Sequence, residues 1–340
     1  MAPTRVGFIG LSQTGWAPKA HLPYLQSSPD YEIVAICNSS VESSQASIKA
    51  YGLPASVKAY ANPQDIANDK SIDLVVCSVR VDRHLATISP SLRAGKDVLV
   101  EWPLGKNLAE AEELLRLKNE GGVKNAVVDL QARQAPIVKK VKELVDGGVI
   151  GRVLSTTWTG AAGLGGASVV EAFQLRLLHR PQNNPRQPPS HNQAHRQRHG
   201  PKDPQPRAPQ DIRRHHLPNR HALLLLNPHL IIPAWRAPFK GQPGLDWRIA
   251  GSDGEIRVSA GGPFLQMGFP DMKIEVHDHA SDEVRDVAFE EEFAALELPA
   301  RNVASVYKEL RAGRNNCSFE DAVERHRLIK EIYKDSGIDA

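Results

Sequence analysis

The stretch Gly10-Leu11-Ser12-Gln13-Thr14-Gly15-Trp16 follows the apolar run at residues 5–9 and has the residue types to hold a phosphate. A buried strand that runs into a small-residue turn presents backbone N–H groups where the next segment begins. A dinucleotide pyrophosphate can be received there. The G-x-G-x-x-G spacing reads Gly10, Ser12, Gly15, so a hydroxymethyl stands where the closest backbone approach is wanted. Short glycine patterns are common, and this one alone divides evenly between a cofactor loop and an ordinary strand–turn connection.

Further polar residues follow apolar runs along the first third of the chain. The run at 31–37 ends at Asn38-Ser39-Ser40, the run at 72–79 leads into Arg80, Asp82, Arg83 and His84, and the run at 97–100 ends at Glu101-Trp102-Pro103. Such strand ends are where open parallel sheets bind their ligands. An acid at the end of the second strand would hold the ribose hydroxyls of NAD. Asn38 in its place leans toward the 2′-phosphate of NADP or toward indifference, although no Arg adjoins it.

An alternation of strands and helices must carry these residues. Segments 31–37, 72–79, 97–100 and 126–130 read as strands, and 72–79 is nearly continuously apolar, as in a strand covered on both faces. Residues 21–25 continue the first helix, 43–51 is helical, and Asp65-Ile66-Ala67 begins a short connector. A helix through Leu92 is closed by Gly95-Lys96, and Asn107 caps a helix over 108–120 that Gly121-Gly122 terminates. This alternation predicts an α/β fold built on a doubly wound parallel sheet. Residues 152–160 open a second domain. Segments 245–250 and 255–259 form a hairpin across Asp253-Gly254, and strands follow near 273–277 and 284–289. Residues 302–312 are helical, and Ser318 with Asp321 makes a capping box for the last helix.

The 340 residues allow two domains of about 100–200 residues each. No run of about 18 apolar residues is present, so no membrane partner is expected. A strand begins by residue 5, which leaves no room for a signal peptide, and the expected location is cytoplasmic. Cys37, Cys77 and Cys317 are odd in number and widely spaced, which argues for buried thiols and against a disulfide framework or clustered zinc site.

Several blocks together resemble a known family. His84 soon after a strand end, Ala94-Gly95-Lys96-Asp97-Val98, Glu101-x-Pro103, Gln131-Ala132-Arg133-Gln134-Ala135-Pro136 and residues 142–151 are similar to the glucose-fructose oxidoreductase and inositol dehydrogenase (Gfo/Idh/MocA) family. Gly15-Trp16-Ala17, Val100-Glu101-Trp102, Phe319-Glu320-Asp321-Ala322 and His326-Arg327-Leu328-Ile329 resemble the branch that includes a fungal galactose-pathway repressor. The resemblance covers roughly residues 1–165 and 238–336.

It implies a Rossmann domain over 1–130 and a C-terminal α+β domain over 131–336 with an open, mainly antiparallel sheet through which copies could associate. It also implies NAD(P) as cofactor and hydride exchange with a sugar, polyol or related carbonyl. Gly10, Ser12, Gln13 and Gly15, with Trp16 and Asn38, would hold the dinucleotide. Ser78, Arg80 and His84 would line its nicotinamide half, and Glu101, Trp102, Gln131 and Arg133 would face ring and substrate. The family pattern at Glu101 is Glu-Lys-Pro. Trp102 replaces the lysine, and an indole can stack on a ring but cannot supply an ammonium. The alternative is a non-catalytic NAD(P)-binding regulator, cytoplasmic or nuclear, whose partner is a transcription activator.

Residues of about 172–236 do not resemble the family. The segment from Ala172 to Pro238 holds eight of thirteen histidines, twelve of twenty-five prolines, one glycine and no valine. It carries eleven Lys or Arg against two acids, so the rest of the chain is net acidic despite the overall +3, and a case for a nucleic-acid partner would rest on this segment alone. His191, His195 and His199 share a helical spacing, but prolines bracket them and no carboxylate joins them, so no metal is expected. A basic disordered insertion binding nucleic acid or an acidic partner is one reading. The favoured reading is a coding segment translated out of frame, with the switch near Val170 and the return near Trp235. In the family this span supplies the Asp-x-x-x-His acid/base pair, so no catalytic residue is assigned and weak or no turnover is expected.

Overall fold

A computed structural model describes residues 2–160, 229–231, 240–314 and 316–335. The first sheet is built from β1 (Thr4–Ile9), β2 (Tyr31–Cys37), β3 (Lys58–Tyr60), β4 (Leu74–Cys77), β5 (Asp97–Glu101) and β6 (Ala126–Asp129). These six strands are parallel, and β13 (Cys317–Ser318) pairs antiparallel with β6, giving the order β13-β6-β5-β4-β1-β2-β3. The order reverses at β1, with β2 on one side and β4 on the other, which makes the switch point at which ligands bind. Val75, Val76, Val98, Leu99 and Val100 are fully buried, as a parallel sheet covered by helices requires.

The covering helices are α1 (Ala17–Ala20), α2 (Leu22–Ser27), α3 (Val41–Ala50), α4 (Pro63–Asn68), α5 (His84–Arg93) and α6 (Leu108–Glu120), followed by α7 (Pro136–Asp146) at the start of the second unit. Two readings of this region are corrected. The first helix does not run on through residue 25. It breaks at His21, because Pro23 opens α2 and lacks the N–H that a continuous helix would need. The segment at Asp65 is the helix α4, started by the Asn62 side chain accepting from the Gln64 N–H, with Pro63 at a first-turn position. Asn107 caps α6 as expected, accepting from the Glu110 N–H at 3.0 Å.

The second sheet contains β7 (Val153–Gly160), β8 (His229–Ile231), β9 (Leu245–Gly251), β10 (Gly254–Ala260), β11 (Lys273–Asp278) and β12 (Glu283–Asp286), in the order β12-β11-β10-β9-β7-β8. All its pairings are antiparallel except β7 with β8, so the sheet is mainly antiparallel. The strand β8 falls inside the segment of about 172–236 that does not resemble the family; its Leu230-Ile231 pair has the composition of a strand. The rest of that stretch, with His191, His195 and His199, lies outside the described residues.

Two further helices, α8 (Leu298–Arg311) and α9 (Phe319–Asp335), pack on the first sheet. Val303 and Tyr307 of α8 join the apolar cluster around Phe8 and Ile36, and Phe319 and Val323 of α9 join the one around Val100 and Leu114. The capping box closes on itself at the start of α9: the Asp321 N–H donates to Ser318 Oγ at 3.1 Å and the Ser318 N–H to Asp321 Oδ2 at 3.2 Å. No described helix is long and apolar enough to cross a membrane. The three thiols are buried, and burial pushes Cys37 and Cys317 up to about 11 and Cys77 up to about 12, so none is a reactive thiolate near neutrality.

Candidate functional site

Strand register brings the carboxyl ends of the first sheet to one edge. Ile9 stands beside Cys37 and Cys77, and Glu101 beside Asp129, so Gly10, Asn38, Ser78, Glu101 and Asp129 leave their strands on the same side. They open a cleft of about 990 Å³ whose wall includes Gly10, Ser12, Gly15, Trp16 and Asn38 on one half. Ser78, Arg80, Glu101, Trp102 and Gln131 are on the other.

The glycine loop is fixed at its base and at its middle. Gly10 has φ +93°, and a Cβ there would lie 2.3 Å from the Ser78 carbonyl oxygen and 2.7 Å from a Val79 methyl. Only glycine lets the chain leave β1 at this point. Ser12 does not reach into the cleft as a free hydroxyl. Its Oγ donates to the Thr14 carbonyl at 2.6 Å, and its own carbonyl accepts from the Tyr51 hydroxyl at 2.8 Å, so the residue in the middle-glycine position ties the loop together. The Asn38 amide donates inward to the carbonyls of Leu11 and Ser43 and to Ser47 Oγ, joining the loop to α3.

Three residues expected at the site are not on its wall. Gln13 turns its amide toward the Ala46 carbonyl at 3.4 Å. His84 is 1 % exposed, with Nδ1 3.2 Å from the Leu104 carbonyl and Nε2 3.0 Å from that of Val79, so it packs the start of α5. Arg133 is drawn away by Asp321 of α9, at 2.5 Å. Each side chain is turned toward nearby backbone or an opposite charge, a competition that sequence spacing does not reveal.

Trp102 lies on the cleft wall. Its indole stacks on the His326 ring of α9, with centroids 5.7 Å apart and planes 29° from parallel, and burial holds His326 below its usual range. The position that resembles the family's lysine is therefore filled by a neutral stacked pair.

Behind this wall is a cluster that sequence reading missed. His21, at the break between α1 and α2, places Nε2 2.8 Å from Glu101 Oε1 and 3.6 Å from Asp129 Oδ2, and Nδ1 2.9 Å from the Tyr307 hydroxyl. One donor atom from each of His21, Glu101 and Asp129 lies within 4.8 Å of the others. His21 and Tyr307 are fully buried and Asp129 is 1 % exposed. Burial first, and the Glu101 charge second, hold the Asp129 carboxyl well above the usual carboxylate range, against the opposing effect of the neighbouring Gln131 side chain. Burial also raises the Tyr307 phenol, which stays neutral. Asp129 was read only as part of the strand at 126–130, and its pairing with Glu101 comes from the strand register; the histidine comes from another part of the chain.

A switch-point cleft with a glycine-based loop fits a dinucleotide. The close approach at Gly10 leaves no room for a side chain, and Gly15 at φ +137° continues the turn. Residues 4–129 match the model of the Gfo/Idh/MocA family, described as an oxidoreductase family with an NAD-binding Rossmann fold.

Among known proteins, the chain is 40 % identical over 157 residues to the dehydrogenase aclE of Aspergillus oryzae, which covers 45 % of this chain and 42 % of that one. It is 34 % identical over 170 residues to the galactose/lactose metabolism regulatory protein GAL80 of Saccharomyces cerevisiae, covering 48 % and 39 %. The chain thus spans about two fifths of the length of the curated relatives it matches. Among solved structures, a super-repressor mutant of Gal80p from Saccharomyces cerevisiae superposes with a TM-score of 0.72 at 21 % identity, over 98 % of this chain and 95 % of that one. KijD10, a 3-ketoreductase from Actinomadura kijaniata solved with NADP and TDP-benzene, superposes with a TM-score of 0.62 at 15 % identity, over 96 % of each chain. At these identities the likeness is one of fold.

Proposed function

We propose that the protein binds NAD(P) in this cleft and that hydride exchange with a sugar, polyol or related carbonyl is strongly impaired. The observation that carries the reading is the Trp102–His326 stack. It retains an aromatic surface at the cleft wall and removes the ammonium that the family resemblance leads one to expect. Gly10, Ser12 and Gly15 would hold the pyrophosphate through the backbone, and Ser78, Glu101 and Trp102 would border the nicotinamide half. When bound, the cofactor would supply hydride exchange at its ring. Asn38 with its neighbouring serines, and no carboxylate, at the end of β2 supports NADP over NAD.

The Trp102 substitution also favours a second reading, a regulator whose dinucleotide tunes contact with a transcription activator, as the likeness to GAL80 suggests. Fluorescence titration with NAD+ and NADP+, followed by absorbance at the nicotinamide band across a sugar and polyol panel, tests both. Quenching without turnover is expected. Robust turnover overturns the impairment, and no quenching with either dinucleotide overturns the binding. Capture of an activator that depends on added dinucleotide would favour the regulator.

A further inference from the structure

The inner wall of the cleft is acidic and, among the described residues, lacks a fixed counter-charge from Lys or Arg. Glu101 on β5 and Asp129 on β6 are register neighbours, and both border the cleft. The titratable groups facing them are His21 at the α1–α2 break, Tyr307 on α8 with Tyr31 of β2 donating to its carbonyl, and Cys77 on the adjacent β4. His326 of α9 lies behind Trp102, and Arg80 and Arg83 lie on the β4 side of the cleft, with Arg80 already paired to Asp82. Among the described residues, no Lys or Arg makes an ion pair with Glu101 or Asp129.

Asp129 adds a second observation. Its carboxyl is almost wholly enclosed, yet among the described residues neither oxygen has a close hydrogen bond: His21 Nε2 stands 3.6 Å from Oδ2, and the Gln131 side chain is its other polar neighbour. A buried polar group in that state is costly unless something completes it. A lysine in place of Trp102 would supply a cation; the indole does not. The missing component is a positive charge entering from the cleft.

We propose that Asp129, backed by His21 and Glu101, makes the cleft selective for the oxidised, cationic nicotinamide ring over the reduced, neutral one, by giving up a proton as the cation binds. The proton passes from the Asp129 carboxyl to solvent and returns when the cation leaves. No other bond changes, and the reduced ring releases no proton. This rests on the reading that the cleft binds NAD(P). It makes the protein a sensor of cofactor redox state whether or not it turns a substrate over.

Isothermal titration of the full chain with oxidised and reduced dinucleotide, in two buffers of different ionisation enthalpy, counts the protons directly. Release approaching one proton is expected for the oxidised form and none for the reduced. The Kd for the oxidised form then falls by up to about tenfold per pH unit as the pH rises from about 4 toward the raised Asp129 value. Asp129→Asn, nearly isosteric with the protonated acid, should abolish the release and narrow the preference for the oxidised form on the order of tenfold. Equal proton counts for the two redox forms, or release that persists in Asp129→Asn, overturns the proposal while leaving dinucleotide binding intact. Binding of neither form overturns both, and the absence of any heat signal identifies that case.

Discussion

Replacing Gly10 by alanine would test whether the cofactor loop is anchored by backbone contact. The new Cβ would sit 2.3 Å from the Ser78 carbonyl oxygen, where a carbon–oxygen contact needs roughly 3.3 Å. The obstacle is backbone, held in place because the Ser78 N–H donates to the Ile9 carbonyl and the Gly10 N–H to the Cys37 carbonyl, both at 3.0 Å. Relief therefore means parting the ends of β1 and β4. Overpacking of this kind costs about 1–3 kcal/mol, and a left-handed φ adds about 1 kcal/mol, so about 3 kcal/mol is expected in all. Gly122→Ala is the internal control: φ is +65° and nothing lies within 4 Å of the added carbon, so only the backbone term of about 1 kcal/mol applies. Urea unfolding reads the difference. With a slope of about 1–3 kcal/mol per molar, Gly10→Ala should lower the midpoint by about 1 M or more and Gly122→Ala by about a third as much. Equal shifts for the two variants would refute the steric argument, and unimpaired dinucleotide binding in Gly10→Ala would refute the placement of the loop.

Other outcomes follow from the same geometry. Because Asp129 is held protonated in the folded state, wild-type stability should fall as pH rises above about 4, by about 1.4 kcal/mol per unit until the raised folded value is reached, whereas Asp129→Asn lacks this slope. Denaturation curves for the two proteins should coincide near pH 4 and separate in favour of the variant toward neutrality; parallel curves would contradict the assignment. Tyr307→Phe removes the hydroxyl 2.9 Å from His21 Nδ1 without changing the packed ring, and should cost about 1–3 kcal/mol in the same assay. Dinucleotide quenching of tryptophan fluorescence should weaken in Trp102→Phe and Trp16→Phe and persist in Trp247→Phe, whose indole donates to Thr156 in the second sheet. Sequencing the transcript across residues 170–238 should reveal a shifted reading frame, and an alternative frame without family-like strand and helix patterns would exclude it.

How much of the site could be read beforehand depended on whether its determinants were local. Hydrophobic runs and caps are local, so β2, α6 and the capping box at Ser318 follow from the residues that form them. The cleft was legible for a related reason: in a parallel sheet every strand points the same way, so the residue after each apolar run must arrive at one edge, and Gly10, Asn38, Ser78 and Glu101 do. What a side chain does once it arrives is decided by partners distant in the chain. Arg133 was expected to face the substrate, but Asp321, far along the sequence, pairs with it. His84 was expected at the nicotinamide and instead faces two carbonyls, because a buried imidazole at a helix start has backbone acceptors close by.

The same non-locality hid the feature with the most chemistry in it. His21 resembled one more residue of the first helix. The break at Pro23, and a tyrosine arriving from α8, are what turn its imidazole onto Glu101 and Asp129. Glu101 and Asp129, ending neighbouring strands side by side, set up a repulsion to be relieved. Of the ways to relieve it, a fixed lysine is missing, since Trp102 occupies that position, and the histidine contacts Glu101 more closely than Asp129. The remaining carboxyl must either keep its proton or find a transient cation, and that choice ties the charge of the wall to whatever enters the cleft.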